Sequence, residues 1–168
     1  MIQQKGFTLI ETLIYIFLFA IIIGGGMIAT YNIIESTNAS YNHVVLQEEA
    51  NFIFSKVSWA LTGADSVDPI IDPKTLKIKK TIPGNSTPTN FTFTLPDNES
   101  HLTIKRNSGP SINSNSDSVL VSNVSFERIS GVGKPDAVKI NFTLTTLQNG
   151  RSTTQDFSFV KYLRTGAY

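Results

Sequence analysis

The chain has no cysteine. Disulfides, thiolate metal sites and thiol nucleophiles are therefore excluded, and any folded part rests on packing and hydrogen bonds alone. An excess of charge of either sign is also missing: 14 Lys and Arg stand against 13 Asp and Glu. No basic field for nucleic acid extends over the chain as a whole. The 2 histidines, His43 and His101, are far apart and have no third ligand at metal spacing, so solvated polar positions are expected for both. There is no G-x-S-x-G elbow and no phosphate loop; Gly24-Gly25-Gly26 lies in an apolar run, and Gly131-Val132-Gly133 lacks the rest of any fingerprint. Asp65, Asp68 and Asp72 lack the glycine and terminal glutamate of a calcium loop, and solvation at a helix exit is expected for them. No catalytic residue, metal site or cofactor is expected.

Long hydrophobic runs are scarce too, with one exception. Residues 5–34, KGFTLIETLIYIFLFAIIIGGGMIATYNII, place a lone cation before a glycine, one carboxylate five residues past it, and then no formal charge from Thr12 to Ile34. At about 1.5 Å of helical rise per residue the uncharged part reaches roughly 35 Å, enough to cross a hydrocarbon core of about 30 Å. Thr12, Leu13, Ile14, Phe17, Phe19, Ile22 and Ile23 are the residues expected to meet lipid or neighbouring helices. A secretory signal peptide needs a small-residue exit site after its apolar region, and Ile28-Ala29-Thr30 does not supply one. A plain signal anchor accounts for the length and for Lys5, but it gives no reason for Glu11, since a carboxylate near the membrane end of a helix costs up to a few kcal/mol.

The residues Gly6-Phe7-Thr8-Leu9-Ile10-Glu11 resemble the GFTLIE signature of type IV prepilins and type II secretion pseudopilins. The resemblance implies that an integral-membrane prepilin peptidase cuts between Gly6 and Phe7 on the cytoplasmic side and N-methylates Phe7. The apolar helix then stays in the mature chain. Losing Lys5 with the leader brings the 14 basic side chains level with the 13 acidic ones. In the filament the helices bundle into a dry core, where an unpaired charge is very costly and a paired one tolerable. The family implies that Glu11 pairs there with the methylated amine of Phe7 on a neighbouring subunit, which sets the axial register. Gly24, Gly25 and Gly26 each cost about 1 kcal/mol relative to alanine within a helix. Many pilins carry a proline near this depth and lose helix locally; here the triplet either loosens the helix in its place or lets helices pack closely. The missing cysteine departs from the many Gram-negative major pilins that pin a C-terminal loop with a cystine.

Further along, Ser36-Thr37-Asn38-Ala39-Ser40 is polar and weakly helical, and a helical pattern returns from Tyr41 to Leu61. Tyr41, Val45, Phe52, Ile53, Val57, Ala60 and Leu61 are expected on one apolar face, and Gly63 is expected to stop the helix. One extended helix is expected, bent near 24–26 and 36–40. Short strands follow: Leu76–Ile82, Phe91–Leu95, His101–Arg106, Val119–Ile129, Asp136–Leu147 and Thr153–Leu163. Residues 107–118, NSGPSINSNSDS, read as a polar loop, and Asn149-Gly150 is the strongest hairpin signal in the chain. The tail Asp156-Phe157-Ser158-Phe159-Val160-Lys161-Tyr162-Leu163-Arg164 resembles the closing strand of W-type and J-type minor pilins, and the segment from Glu48 to Ala64 is similar to their post-membrane helix. Six N-x-S/T sequons, at Asn38, Asn85, Asn90, Asn98, Asn123 and Asn141, arise by chance in a chain so rich in Asn, Ser and Thr.

The expected fold is α+β: a long N-terminal transmembrane and filament-core helix, then an antiparallel β-domain packed on its C-terminal half, the pilin fold. Residues 1–6 form the leader, 7–34 the membrane helix, 35–63 its continuation and 64–168 the β-rich domain. The expected role is a structural subunit, of minor rank, in a type IV pilus or a type II secretion-type pseudopilus. Its partners are other pilin or pseudopilin subunits, prepilin peptidase, the inner-membrane assembly platform and membrane lipid, with no specific nucleic acid. The expected location is the inner membrane before assembly and an extracellular or periplasmic filament afterwards, with the C-terminal domain outside the cytoplasm. The competing class is a signal-anchored exported binding domain that never polymerises; a third, a soluble enzyme behind a signal peptide, would begin near residue 30.

Overall fold

The computed structural model describes residues 8–84, 86–131, 134–148 and 151–163. One helix, α1 (Leu9–Leu61), precedes eight strands: β1 (Ser66–Val67), β2 (Thr75–Lys80), β3 (Thr89–Thr94), β4 (Thr103–Arg106), β5 (Ser111–Asn113), β6 (Val119–Gly131), β7 (Lys134–Gln148) and β8 (Arg151–Tyr162). The chain divides into two compact units, Met1–Tyr41 and Asn42–Tyr168, and α1 contributes residues to both.

In the first unit, α1 stays helical through 24–26 and 36–40, the segments where bends were expected. Its hydroxyls are absorbed locally: Thr30 Oγ1 donates to the Gly26 carbonyl at 2.9 Å and Thr37 Oγ1 to the Ile33 carbonyl at 2.9 Å. Such back-bonding satisfies the two threonine hydroxyls within the helix itself.

In the second unit the buried stripe of α1 is Asn42, Leu46, Ala50, Ile53, Val57, Ala60 and Leu61. Its steps of three and four residues are the pitch of a helix face. This stripe corrects the expected face at two positions, because Tyr41 is 55% and Phe52 is 52% exposed. The stripe is phased by Asn42, a polar residue that a search for apolar spacing passes over. Asn42 Nδ2 donates to Thr153 Oγ1 at 3.3 Å. Gly63 ends the helix with φ +69, the left-handed position that glycine adopts without strain.

The strands form two antiparallel sheets, one of order β1-β2-β3-β4-β5 and one of order β6-β7-β8. Alternation fixes the faces: Leu76, Ile78, Phe91 and Phe93 of the first sheet and Val138, Ile140, Phe142 and Leu144 of the second join the α1 stripe in one core. Phe54 stacks on Phe159 at 4.5 Å between centroids, and Trp59 meets Phe91 edge-on at 5.3 Å. β7 and β8 pair without a slip from Ala137–Tyr162 to Gln148–Arg151. That register fits a tight hairpin, although Asn149 and Gly150 themselves lie outside the described residues. β6 carries a bulge between Ser122 and Ser125, with Asn123 at φ 51, a residue type that tolerates this region.

The segment 107–118, expected as a loop, is structured. It holds β5 and two buried polar residues, Ser114 and Asn115. Asn115 Oδ1 accepts from the Leu102 N–H at 3.0 Å, and its Nδ2 donates to the Val119 carbonyl at 2.6 Å and to His101 Nδ1 at 3.0 Å. One amide thus joins the end of one sheet to the start of the other. His101 is correspondingly half-buried and partnered rather than solvated. Replacing Asn115 by Ala strands buried backbone groups, so Asn115→Ala is expected to cost about 2–4 kcal/mol in urea unfolding. Ser114 Oγ, by contrast, has no partner; Ser114→Ala is expected to be neutral or stabilising, within about 1 kcal/mol.

Candidate functional site

The first turn of α1 is built by Thr8 and Glu11. Glu11 Oε2 accepts from the Thr8 N–H at 3.0 Å and from Thr8 Oγ1 at 2.9 Å, while the Glu11 N–H reaches back to Thr8 Oγ1 at 3.4 Å. This is the reciprocal T-x-x-E capping box, in which each side chain satisfies a helix-start amide that has no partner within the helix. Sequence reasoning singled out Glu11 for its charge and missed Thr8, although the T-x-x-E spacing before an apolar run was the available signal. Gly6 and Phe7 lie outside the described residues; Phe7 is the residue immediately before the cap. Among the described residues its hydrogen bonds use only Oε2, and the lone pairs of a second carboxylate oxygen can accept a cation.

Beyond the cap, the apolar segment has no cover among the described residues. Leu9 is 85%, Phe17 63% and Ile22 70% exposed, and Thr12, Leu13, Ile14, Phe19 and Ile23 are exposed as well. None of the apolar stretch long enough to cross a membrane is buried. A core helix of a soluble domain would be mostly covered, so the apolar side chains here serve lipid or other helices. Cβ atoms added at Gly24, Gly25 or Gly26 would meet nothing within 4 Å. The fold of the described residues therefore does not require glycine there.

The three carboxylates weighed as calcium ligands go to separate partners. Asp65 Oδ2 accepts from the Thr81 N–H and Oγ1, both at 2.7 Å, and Asp68 pairs with Lys79 at 2.9 Å. Asp72 accepts from the Lys74 N–H at 3.0 Å and from Thr75 Oγ1 at 2.8 Å. They are structural acceptors in the α1–β2 connection rather than merely solvated groups. His43 is exposed, with Nδ1 3.5 Å from Gln155 Oε1.

Residues 1–27 match the family model of the prokaryotic N-terminal methylation motif, which is the prepilin-type cleavage and methylation motif. The match covers the capping box and the apolar stretch as far as Met27, and none of the β-domain. No curated protein and no solved structure matches the chain. With this motif on a long apolar helix, the chain is type IV pilin-like: processed, exported and anchored in a membrane. The motif points to a structural subunit, not an enzyme.

The backbone N–H of Lys74, then the hydroxyl of Thr75, hold the Asp72 carboxyl below the ordinary carboxylate range. A group depressed on folding supplies its full stability above its unfolded value and loses it as pH falls through the folded one. The stability difference between the protein and Asp72→Asn should therefore stay constant at neutral pH and shrink below about pH 4. Chemical denaturation across that range checks it; a difference that grows toward acid would contradict the assignment.

Proposed function

We propose that this chain is a structural subunit, of minor rank, of a type IV pilus or a type II secretion-type pseudopilus. Prepilin peptidase cuts between Gly6 and Phe7 and N-methylates Phe7. The mature helix then leaves the inner membrane at the assembly platform and packs among the helices of other subunits, carrying the β-domain outside the cytoplasm. Residues 7–34 act as the membrane and filament-core segment and residues 35–63 as its continuation into the β-domain. Thr12, Leu13, Ile14, Phe17, Phe19, Ile22 and Ile23 supply the hydrophobic packing. Gly24, Gly25 and Gly26 supply either local softness or a close helix approach.

The observation that carries this reading is the pairing of an apolar helical stretch that no described residue covers with a carboxylate at its start, within the matched methylation motif. Glu11 caps its own helix with one oxygen and keeps the other for the neighbouring subunit's N-terminal amine. In lipid the capped carboxylate sits near the interface at modest cost. Once the helices exclude lipid and water, a lone carboxylate costs several kcal/mol and the pair is the tolerable arrangement. Register follows from where the pair can close.

Glu11→Gln tests the charge without touching the cap, since Gln serves equally at the third position of a capping box. Losing a partner from a buried ion pair costs about 3–5 kcal/mol, so assembly is expected to fall about a hundredfold or more, with membrane insertion unchanged. Shearing filaments and quantifying this chain in them reads the outcome. Mass spectrometry of the mature N-terminus is expected to show methylated Phe7; full assembly of Glu11→Gln would overturn the pairing role of Glu11, and an intact Met1 together with absence of this chain from sheared filaments would reduce it to an anchored domain that does not polymerise.

A further inference from the structure

Two features of the second unit stand on opposite margins of the three-stranded sheet. The first is Ile71, which at 94% exposure is the most outward large apolar side chain described in this unit. The loop that carries it is held at both ends. The Asp68 N–H donates to the Lys77 carbonyl at 3.0 Å, and the Asp68 carboxylate pairs with Lys79 at 2.9 Å. The Thr75 N–H closes on the Asp72 carbonyl at 3.0 Å, and the Phe126 N–H donates to the Pro73 carbonyl at 2.7 Å. Pro69 and Pro73 restrict the backbone further. Because Phe126 spends its N–H on Pro73, the loop lies along the margin of β6 that faces away from β7.

The second feature is a groove of about 430 Å³ at the far margin, lined among the described residues by Thr62, Val160, Lys161 and Tyr162. Val160 pairs with Lys139, and Lys139 with Glu127 beside Phe126, so groove and loop stand level across the sheet. Two strand spacings separate β6 from β8, roughly 10 Å. The Leu163 N–H donates to the Asp136 carbonyl at 2.7 Å. By antiparallel alternation the amides and carbonyls of Val160 and Tyr162 then face outward, and no described strand lies beyond them. The charges match as well. Asp72, next to Ile71, and Lys161, in the groove, have no opposite charge within ion-pair distance among the described residues.

We propose that the Ile71 loop of one copy docks in the groove at Thr62, Val160 and Tyr162 of the next copy, with Asp72 facing Lys161. A knob and its groove on different surfaces make a heterologous contact, which repeats without closing. Set level on opposite margins, they join copies by a sideways step that keeps every copy in one orientation, as anchors in one membrane require. Pairing of β8 with a second β8 would reverse the neighbour instead. The inference deepens the filament reading and rests on it for a neighbour held in the same orientation. One apolar anchor and one rim charge bind weakly; a shared membrane raises their effective concentration.

The test uses the full chain in phosphatidylcholine vesicles at high lipid excess. The chain has no cysteine, so Lys74→Cys beside the loop and Thr62→Cys in the groove supply the only thiols for a short bismaleimide linker. Together they are expected to give a ladder of dimers, trimers and longer chains, and each alone only traces of dimer. Ile71→Ser, at a side chain that supports no packing within the chain, is expected to reduce the ladder about tenfold. Asp72→Asn keeps an acceptor for the Lys74 amide; this change and Lys161→Gln should each reduce the ladder about two- to fivefold. Both together should reduce it no further than the stronger one alone. No ladder, a single-cysteine dimer as abundant as the pair's products, indifference to Ile71→Ser, or additive losses from the two charge changes would overturn the proposal. Filaments sheared from cells are scored in parallel: filaments without a ladder sink this contact alone, and a ladder without filaments sinks the filament reading alone.

Discussion

An apolar helical stretch that no described residue covers is the constraint from which the rest follows. Burying one Leu, Ile or Phe side chain is worth about 1.5–3 kcal/mol, and the exposed segment presents such residues from Leu9 to Ile34. No plausible arrangement leaves that surface in water. Lipid can cover it without choosing a rotation or a depth; helices can cover it with both chosen, provided something marks the depth. The polar end of the segment is where such a mark can sit, because a charge is the one feature whose cost changes steeply between interface and dry core.

In the proposed filament Glu11 combines two tasks of different size. Capping is worth about 0.5–2 kcal/mol, whereas leaving a buried charge without its partner costs about 3–5 kcal/mol. The smaller term fixes where the helix starts, and the larger one governs whether helices can come together. The cap also orients the carboxylate: Thr8 holds Oε2 through both its amide and its hydroxyl. A carboxylate already fixed in place loses less side-chain freedom when a cation arrives, so the cap lowers the entropic cost of pairing.

Much of this fold was legible in the residues. Strict alternation in Leu76-Lys77-Ile78 and in Phe91-Thr92-Phe93 marks strands with one dry face, and both register and burial agree with it. The helix end at Gly63 was equally plain. The misreadings share a cause, which is that polar residues carried packing information. Asn42 phases the buried helix stripe, and Thr8 completes the cap. Asn115 sits in a run of Ser and Asn that has the composition of a loop, yet its amide is buried and holds two sheets together. Single-residue polar contacts over long sequence separation leave no periodic trace, so only the fold could expose them.

Charge follows the same logic of averages and places. A subunit of the proposed filament gains from near-neutrality, since like-charged neighbours repel over a Debye length of about 8–10 Å. Neutrality over the chain does not require neutrality on each face. The outer face of the three-stranded sheet is a ladder of mutually satisfied groups: Thr143 donates to Asp156 at 2.6 Å, Ser158 to Asn141 at 2.8 Å and Asn141 to Ser125 at 3.1 Å. A self-satisfied surface has little left to offer a ligand. The first sheet, where Lys77 and Lys105 stand without counter-charges, keeps its donors available. Among the described residues the two outward faces thus differ in how their polar groups are partnered, a difference that total charge does not record.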